Sequence, residues 1–224
     1  MNKLSQKAWE KSYNVVEAIK QHPFNKALSN GTLSIDTFAY YIEQDTLYLR
    51  EFARCHAIIA SRVPLEYVQC FLRYSQNTFI TEQLVVHDFF RKLFQFKETG
   101  LITPTTLSYT SYLLKVCALE SVEIAIAAVL PCFWVYWEVG SCILQNTVKD
   151  NIFIRWIETY ASDDFASSVK EAISIFDKLA ASATKDTQDK MMNAFYNSTV
   201  LEWHFWNDSF NKTSVDNFLS KQYD

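Results

Sequence analysis

The sequence predicts an all-α fold of about eight helices. Its 224 residues contain only 3 Gly and 4 Pro, which leaves few turns between long elements. Apolar residues recur at spacings of three and four along most of the chain. No segment alternates apolar and polar residues between Gly or Asn-Gly turns, so no strand is predicted. Apolar residues make up 49% and aromatics 16%, enough for a sizeable core in one domain spanning 1–224.

Leu4, Ala8, Trp9, Tyr13, Val16 and Ile19 mark a first amphipathic helix, ended by His22-Pro23. Asn30-Gly31 is a turn. Ser34 caps a second helix over 35–62. Pro64 opens a third, over 64–97, with Gly100 as its stop. Thr103-Pro104 starts a fourth, reaching about Ala118. The fifth contains 121–140 and carries no charge between Glu123 and Glu138. A helix apolar all round belongs at the centre of a bundle. Its charge-free run, 124–137, is too short to span a bilayer. Pro131 has no N–H for the carbonyl of Ala127, so a kink is expected there. The polar stretch 146–151 connects to a short helix over 152–160. Ser162 caps a seventh helix over 163–183, and the eighth covers 186–210. Residues 211–224 read as a polar tail.

Composition removes several classes of function. The net charge is −4 with no basic patch, which argues against nucleic acid as a partner. Charges are interleaved through the first twenty residues, unlike a signal peptide, so a cytoplasmic protein without a membrane partner is expected. Five cysteines without CxxC spacing fit reduced thiols better than a disulfide framework or a zinc site. His56 and His87 lack the paired Glu-x-x-His spacing of di-iron bundles, and there is no Gly-rich phosphate loop. No metal or cofactor is expected.

Polar residues on apolar faces are the candidates for chemistry. Asp45 and Tyr48 are three apart, about 60° round a helix, and share a face with Tyr41, Leu49 and Phe52. Asp45 is either ligand-binding there or an exposed acid on the helix edge. Glu202 lies in Leu201-Glu202-Trp203-His204-Phe205-Trp206. Against indoles its pKa should rise, which suits a general acid or base, and exposure to water is the alternative. Cys132 is the one plausible nucleophile, although a cysteine on an apolar helix is usually a small hydrophobe. Tyr48, Tyr112, Phe133, Tyr136, Tyr160, Phe205 and Trp206 are placed to wall a flat ring, or simply to pack.

Five blocks together resemble one family. His22-Pro23-Phe24, Asn30-Gly31-Thr32-Leu33 and Phe38-x-Tyr40-Tyr41-Ile42-x-Gln44-Asp45-x-x-Tyr48-Leu49 are similar to the opening of the TenA proteins, or thiaminase II. Tyr109-Thr110-Ser111-Tyr112-Leu113-Leu114 resembles their middle segment, and Leu130-Pro131-Cys132-Phe133-Trp134-Val135-Tyr136 their signature helix. Trp156-Ile157-x-x-Tyr160 and Glu202-x-x-Phe205-Trp206 resemble their closing segments.

The resemblance implies a heme-oxygenase-like bundle, a homotetramer and a cofactor-free hydrolase of thiamin-pyrimidine salvage. Its substrate would be 4-amino-5-aminomethyl-2-methylpyrimidine, giving the hydroxymethyl compound and ammonia, with thiamin as a further substrate. By similarity Cys132 is the nucleophile, Glu202 the acid and base, and Asp45 the group that polarises the ring. Tyr112 would hold Glu202, with Tyr48, Tyr136 and Tyr160 positioning ring and thiol, and Phe205 or Trp206 stacking. Two competing readings are a catalytically silent pyrimidine-binding or regulatory protein on this fold, and a haem or di-iron oxidase.

Overall fold

The computed structural model describes residues 3–216, apart from the side chains of 81–85. The elements are α1 (Leu4–Lys20), α2 (Pro23–Ser29), α3 (Ile35–Ala60), α4 (Leu65–Asn77), a π-helical segment (Thr78–His87), α5 (Asp88–Phe94) and α6 (Pro104–Leu119). They continue with α7 (Val122–Asn146), α8 (Ile154–Tyr160), α9 (Asp163–Ser182) and α10 (Lys185–Asn211). No strand occurs among the described residues. The part of the predicted tail over 217–224 lies outside them.

The predicted caps form. Ser34, Thr103 and Ser162 each accept the backbone N–H three residues on, at 3.1, 2.9 and 3.2 Å. One helix was not foreseen. His22-Pro23 ends α1 and also starts α2, because Pro23 suits the first helical position and His22 Nδ1 accepts the Phe24 N–H at 3.1 Å. Gly31, at φ +67°, then turns the chain toward α3. The predicted third helix is one run, 65–94, with wider π-type turns in its middle. It stops at Gln95, whose backbone is left-handed at φ 52°, short of Lys97.

α3 holds the next loop by two adjacent side chains. Glu43 accepts the Thr99 N–H and hydroxyl and the Gly100 N–H. Gln44 donates to the Leu101 carbonyl and accepts the Thr103 N–H. Both are buried, and their hydrogen bonds meet the cost of burial.

α7 is the axis of the molecule. It packs chiefly on α10 and also meets α9, α8, α6, α2 and α3. By length and hydropathy all of Val122–Asn146 suffices to cross a membrane, unlike the shorter charge-free run. Most of it is instead buried by neighbouring helices, as in the core helix of a bundle. The helix runs through Pro131 without a break. Trp134 stacks on Trp9 of α1, with centroids 4.3 Å apart. A Cβ on Gly140 would stand 2.8 Å from Tyr160 Cβ and 3.1 Å from its carbonyl carbon, so the glycine lets α8 lie directly on α7.

Candidate functional site

Five helices and the end of the π-helical segment converge beside Pro131. α3 contributes Asp45 and Tyr48, α6 Tyr109, and α7 Cys132 and Tyr136. α8 contributes Tyr160, and α10 Glu202, Phe205 and Trp206. Asp45, Cys132, Tyr136 and Tyr160 line one small enclosed cavity of about 10 Å³, with Leu49, Phe52, Phe133 and Phe165 completing its wall. The space takes about one water-sized sphere.

Asp45 is buried, which excludes the exposed-acid alternative. Its Oδ2 lies 3.0 Å from His87 Nε2. His87 is also buried, and its Nδ1 is 2.9 Å from Thr46 Oγ1. Thr46 donates to the Ile42 carbonyl and accepts from Arg91, which pairs with Glu98 nearer the surface. A buried carboxylate needs such a partner. The imidazole thus engages Asp45 through Oδ2. In the sequence His87 stands out only as a metal ligand whose spacing does not fit one. Among the described residues no group of three or more His, Cys, Asp or Glu is arranged to hold a metal.

Glu202 is 1% exposed, which excludes the water-facing alternative. Burial pushes its carboxyl up to about 8, and the charge of Asp45 acts in the same direction. The Tyr109 hydroxyl donates to Glu202 Oε1 at 2.8 Å and partly offsets that rise. This corrects the expectation for Tyr112. Thr106, Tyr109, Leu113 and Val116 form the buried face of α6, and Tyr109 is wholly enclosed on it. Tyr112 is three residues round, only half-buried, and meets Asn197 instead. The run of Leu113, Val116 and Cys117 was the signal in the sequence that favoured Tyr109.

Cys132 is half-buried, and the Tyr48 hydroxyl faces its thiol. Burial, and then that thiol, push the Tyr48 phenol well above its usual range, so it stays neutral. Burial acts likewise on Tyr136, whose hydroxyl is 3.4 Å from that of Tyr41. Tyr136 stands between Tyr160 and Trp206, with centroids at 5.0 and 5.2 Å. Phe205 lies 5.7 Å from the Tyr48 ring, and Trp206 stacks flat on Tyr41. The predicted aromatic walls therefore meet, with Tyr112 the exception. The arrangement gathers the Cys132 thiol, the Asp45 carboxyl and a Glu202 carboxyl protonated near neutrality among aromatic rings.

The comparisons agree with this architecture. A model of the TENA/THI-4/PQQC family matches residues 5–212. The chain is 34% identical over 196 residues to the aminopyrimidine aminohydrolase of Bacillus subtilis (strain 168), covering 85% of this chain and 83% of that protein. Its fold superimposes on a TenA homologue from Pyrococcus furiosus with a TM-score of 0.87 at 18% identity, over 92% of this chain and 99% of that one. A domain with a heme oxygenase-like fold from Shewanella denitrificans gives a TM-score of 0.72 at 14% identity, over 92% of each chain. The fold is thus the all-α, heme oxygenase-like bundle that the sequence resemblance implied. The match over nearly all of its length places this chain in the TENA/THI-4/PQQC family.

Proposed function

We propose that the protein hydrolyses 4-amino-5-aminomethyl-2-methylpyrimidine to the 5-hydroxymethyl compound and ammonia. Thiamin, in which a thiazolium replaces the amine, is the further substrate. The name borne by the Bacillus subtilis relative supports an enzyme acting on a C–N bond of an aminopyrimidine. The observation that supports the reading is that Asp45 and Cys132 line one small cavity while Glu202, raised to about 8, lies within reach of the Asp45 charge.

Each group then has a task. Asp45, held by His87 through one oxygen, accepts from the amidine edge of the ring with the other. That favours positive charge on the ring and makes its carbon electrophilic. The Cys132 thiolate adds to the ring, forming a carbon–sulfur bond. Glu202, protonated, gives its proton to the departing nitrogen as the exocyclic C–N bond breaks. The carboxylate so formed takes a proton from water, which adds to the exocyclic carbon. Breaking the carbon–sulfur bond restores the ring and the thiolate. Tyr109 fixes Glu202, and Tyr48 donates to the sulfur. Tyr136, Tyr160, Phe205 and Trp206 hold the ring and exclude bulk water.

Purified protein is expected to release ammonia from the aminomethylpyrimidine, and Cys132→Ala to lose at least about a thousandfold of that rate. Tight pyrimidine binding without ammonia release would favour the silent binder. The homotetramer implied by the family belongs to the same proposal. Leu65 and Leu119, exposed at 88% and 75%, are apolar surface available for such contacts.

A further inference from the structure

A line of polar groups runs from Asp45 to the surface. Asp45 Oδ2 lies 3.0 Å from His87 Nε2, and His87 Nδ1 lies 2.9 Å from Thr46 Oγ1. The Thr46 hydroxyl turns back along α3 to the Ile42 carbonyl at 2.8 Å. The Arg91 guanidinium donates to the same hydroxyl oxygen at 3.0 Å and pairs with Glu98 at 2.8 Å. Asp45, Thr46 and His87 are all buried, and His87 completely so.

The hydrogens along this line fix the polarity at its inner end. A threonine hydroxyl has one hydrogen. With that hydrogen on the Ile42 carbonyl, Oγ1 is an acceptor, so His87 Nδ1 carries a hydrogen. Nε2 and a carboxyl oxygen 3.0 Å apart attract only with a proton between them. If the hydroxyl turns to Nδ1 instead, the neutral imidazole carries its hydrogen on Nε2, and the result at Asp45 is the same. In both arrangements the proton lies on the Oδ2 side of the carboxyl group, and Oδ1 carries none.

We propose that His87 and Thr46 are positioning residues that keep Asp45 Oδ1 an acceptor only, and that they thereby set which pyrimidine the site takes. The proposal rests on the hydrolase reading above and deepens it by naming what selects the ring. Asp45 lines the small cavity with Cys132, and its contact with His87 is made by Oδ2. Thr46 and His87 are not among the residues lining that cavity, so both act through Asp45. A 4-amino group directs an N–H at Oδ1. A 4-oxo group puts an acceptor oxygen there, and two oxygens with no hydrogen between them leave a buried group unsatisfied. Without His87 a buried carboxylate takes up a proton rather than stay charged, and a carboxylic acid donates as well as accepts. The preference for the amino ring then falls.

The test is calorimetric binding of two ring analogues to the intact protein: 4-amino-5-hydroxymethyl-2-methylpyrimidine and its 4-oxo counterpart. Where heats are too small, the two are compared as inhibitors of ammonia release. Wild type should bind the amino ring at least about tenfold more tightly. His87→Leu should bring the two affinities within about threefold of each other. Thr46→Val, similar in shape but without the hydroxyl, should lower the ratio by at least about threefold, and Thr46→Ser should restore it. The ratio is internal to each protein, so a purely structural loss that weakens both ligands alike leaves it unchanged. Equal affinities in wild type overturn the proposal, as does a wild-type ratio in both His87→Leu and Thr46→Val. Should His87→Leu fail to fold, equal ratios in Thr46→Val and Thr46→Ser overturn it alone. Ammonia release from the aminomethylpyrimidine is measured beside these. Release without discrimination between the analogues removes only the roles of His87 and Thr46. Discrimination without release keeps those roles and removes the hydrolase reading. Neither release nor binding overturns both.

Discussion

Glu202 links chemistry to stability through a single proton. Its carboxyl is raised to about 8 by burial, so the folded protein holds this proton where the unfolded chain, at an ordinary carboxylate value, has lost it. Between about pH 4.5 and 8 the folded state binds more protons, and stability falls as pH rises through that window. Glu202→Gln keeps an acceptor for Tyr109 and removes the ionisation. It is expected to abolish turnover while raising the melting temperature at pH 9 by roughly 2–6 °C, seen by calorimetry. In wild type, kcat should fall above about pH 8 as the proton donor is lost. A second comparison separates the two tyrosines of α6. Tyr109→Phe should lower kcat by about tenfold and move the alkaline limb upward, because the hydrogen bond that lowers the Glu202 pKa is gone. Tyr112→Phe should leave both the rate and the limb unchanged. At this scale the sequence displayed residue types more clearly than partners. Asp45 and Glu202 stood out as acids on apolar faces, but a shift of three along α6 separates the right tyrosine from the wrong one. The partner of Asp45, 42 residues away, follows only from how α3 meets the end of the π-helical segment.

At the scale of elements, α7 and α8 define the floor of the site through Gly140. In an open helix Ala would outrank Gly by about 1 kcal/mol. Here the added methyl meets Tyr160 Cβ at 2.8 Å and its backbone carbon at 3.1 Å, and backbone does not yield cheaply. Gly140→Ala should therefore destabilise by about 1–3 kcal/mol and lower the melting temperature by several degrees. It should also raise KM, since Tyr160 is displaced from the cavity wall. Most helices were legible because their caps and apolar stripes are local. α2 was missed because His22-Pro23 reads as a stop when only the preceding helix is considered. The wider π turns within 78–87 leave no mark in the spacing, since they depend on what packs against α3.

At the scale of the whole molecule, the central place of α7 in the bundle was legible from its charge-free run. The quaternary state was not, because it depends on surface shape. Light scattering on the purified protein should give four times the 26.1 kDa chain mass. A monomer would remove the tetramer without touching the fold or the site. The residues around Cys132 come from positions 45, 48, 87, 109, 136, 160, 202, 205 and 206, so nearly every stretch of chain supplies one side of the box. No proteolytic fragment or half of the chain contains a rudimentary version of it. Activity is then an all-or-none reporter of the complete tertiary structure, and a truncated copy expressed beside the intact one is a spectator rather than a weaker enzyme.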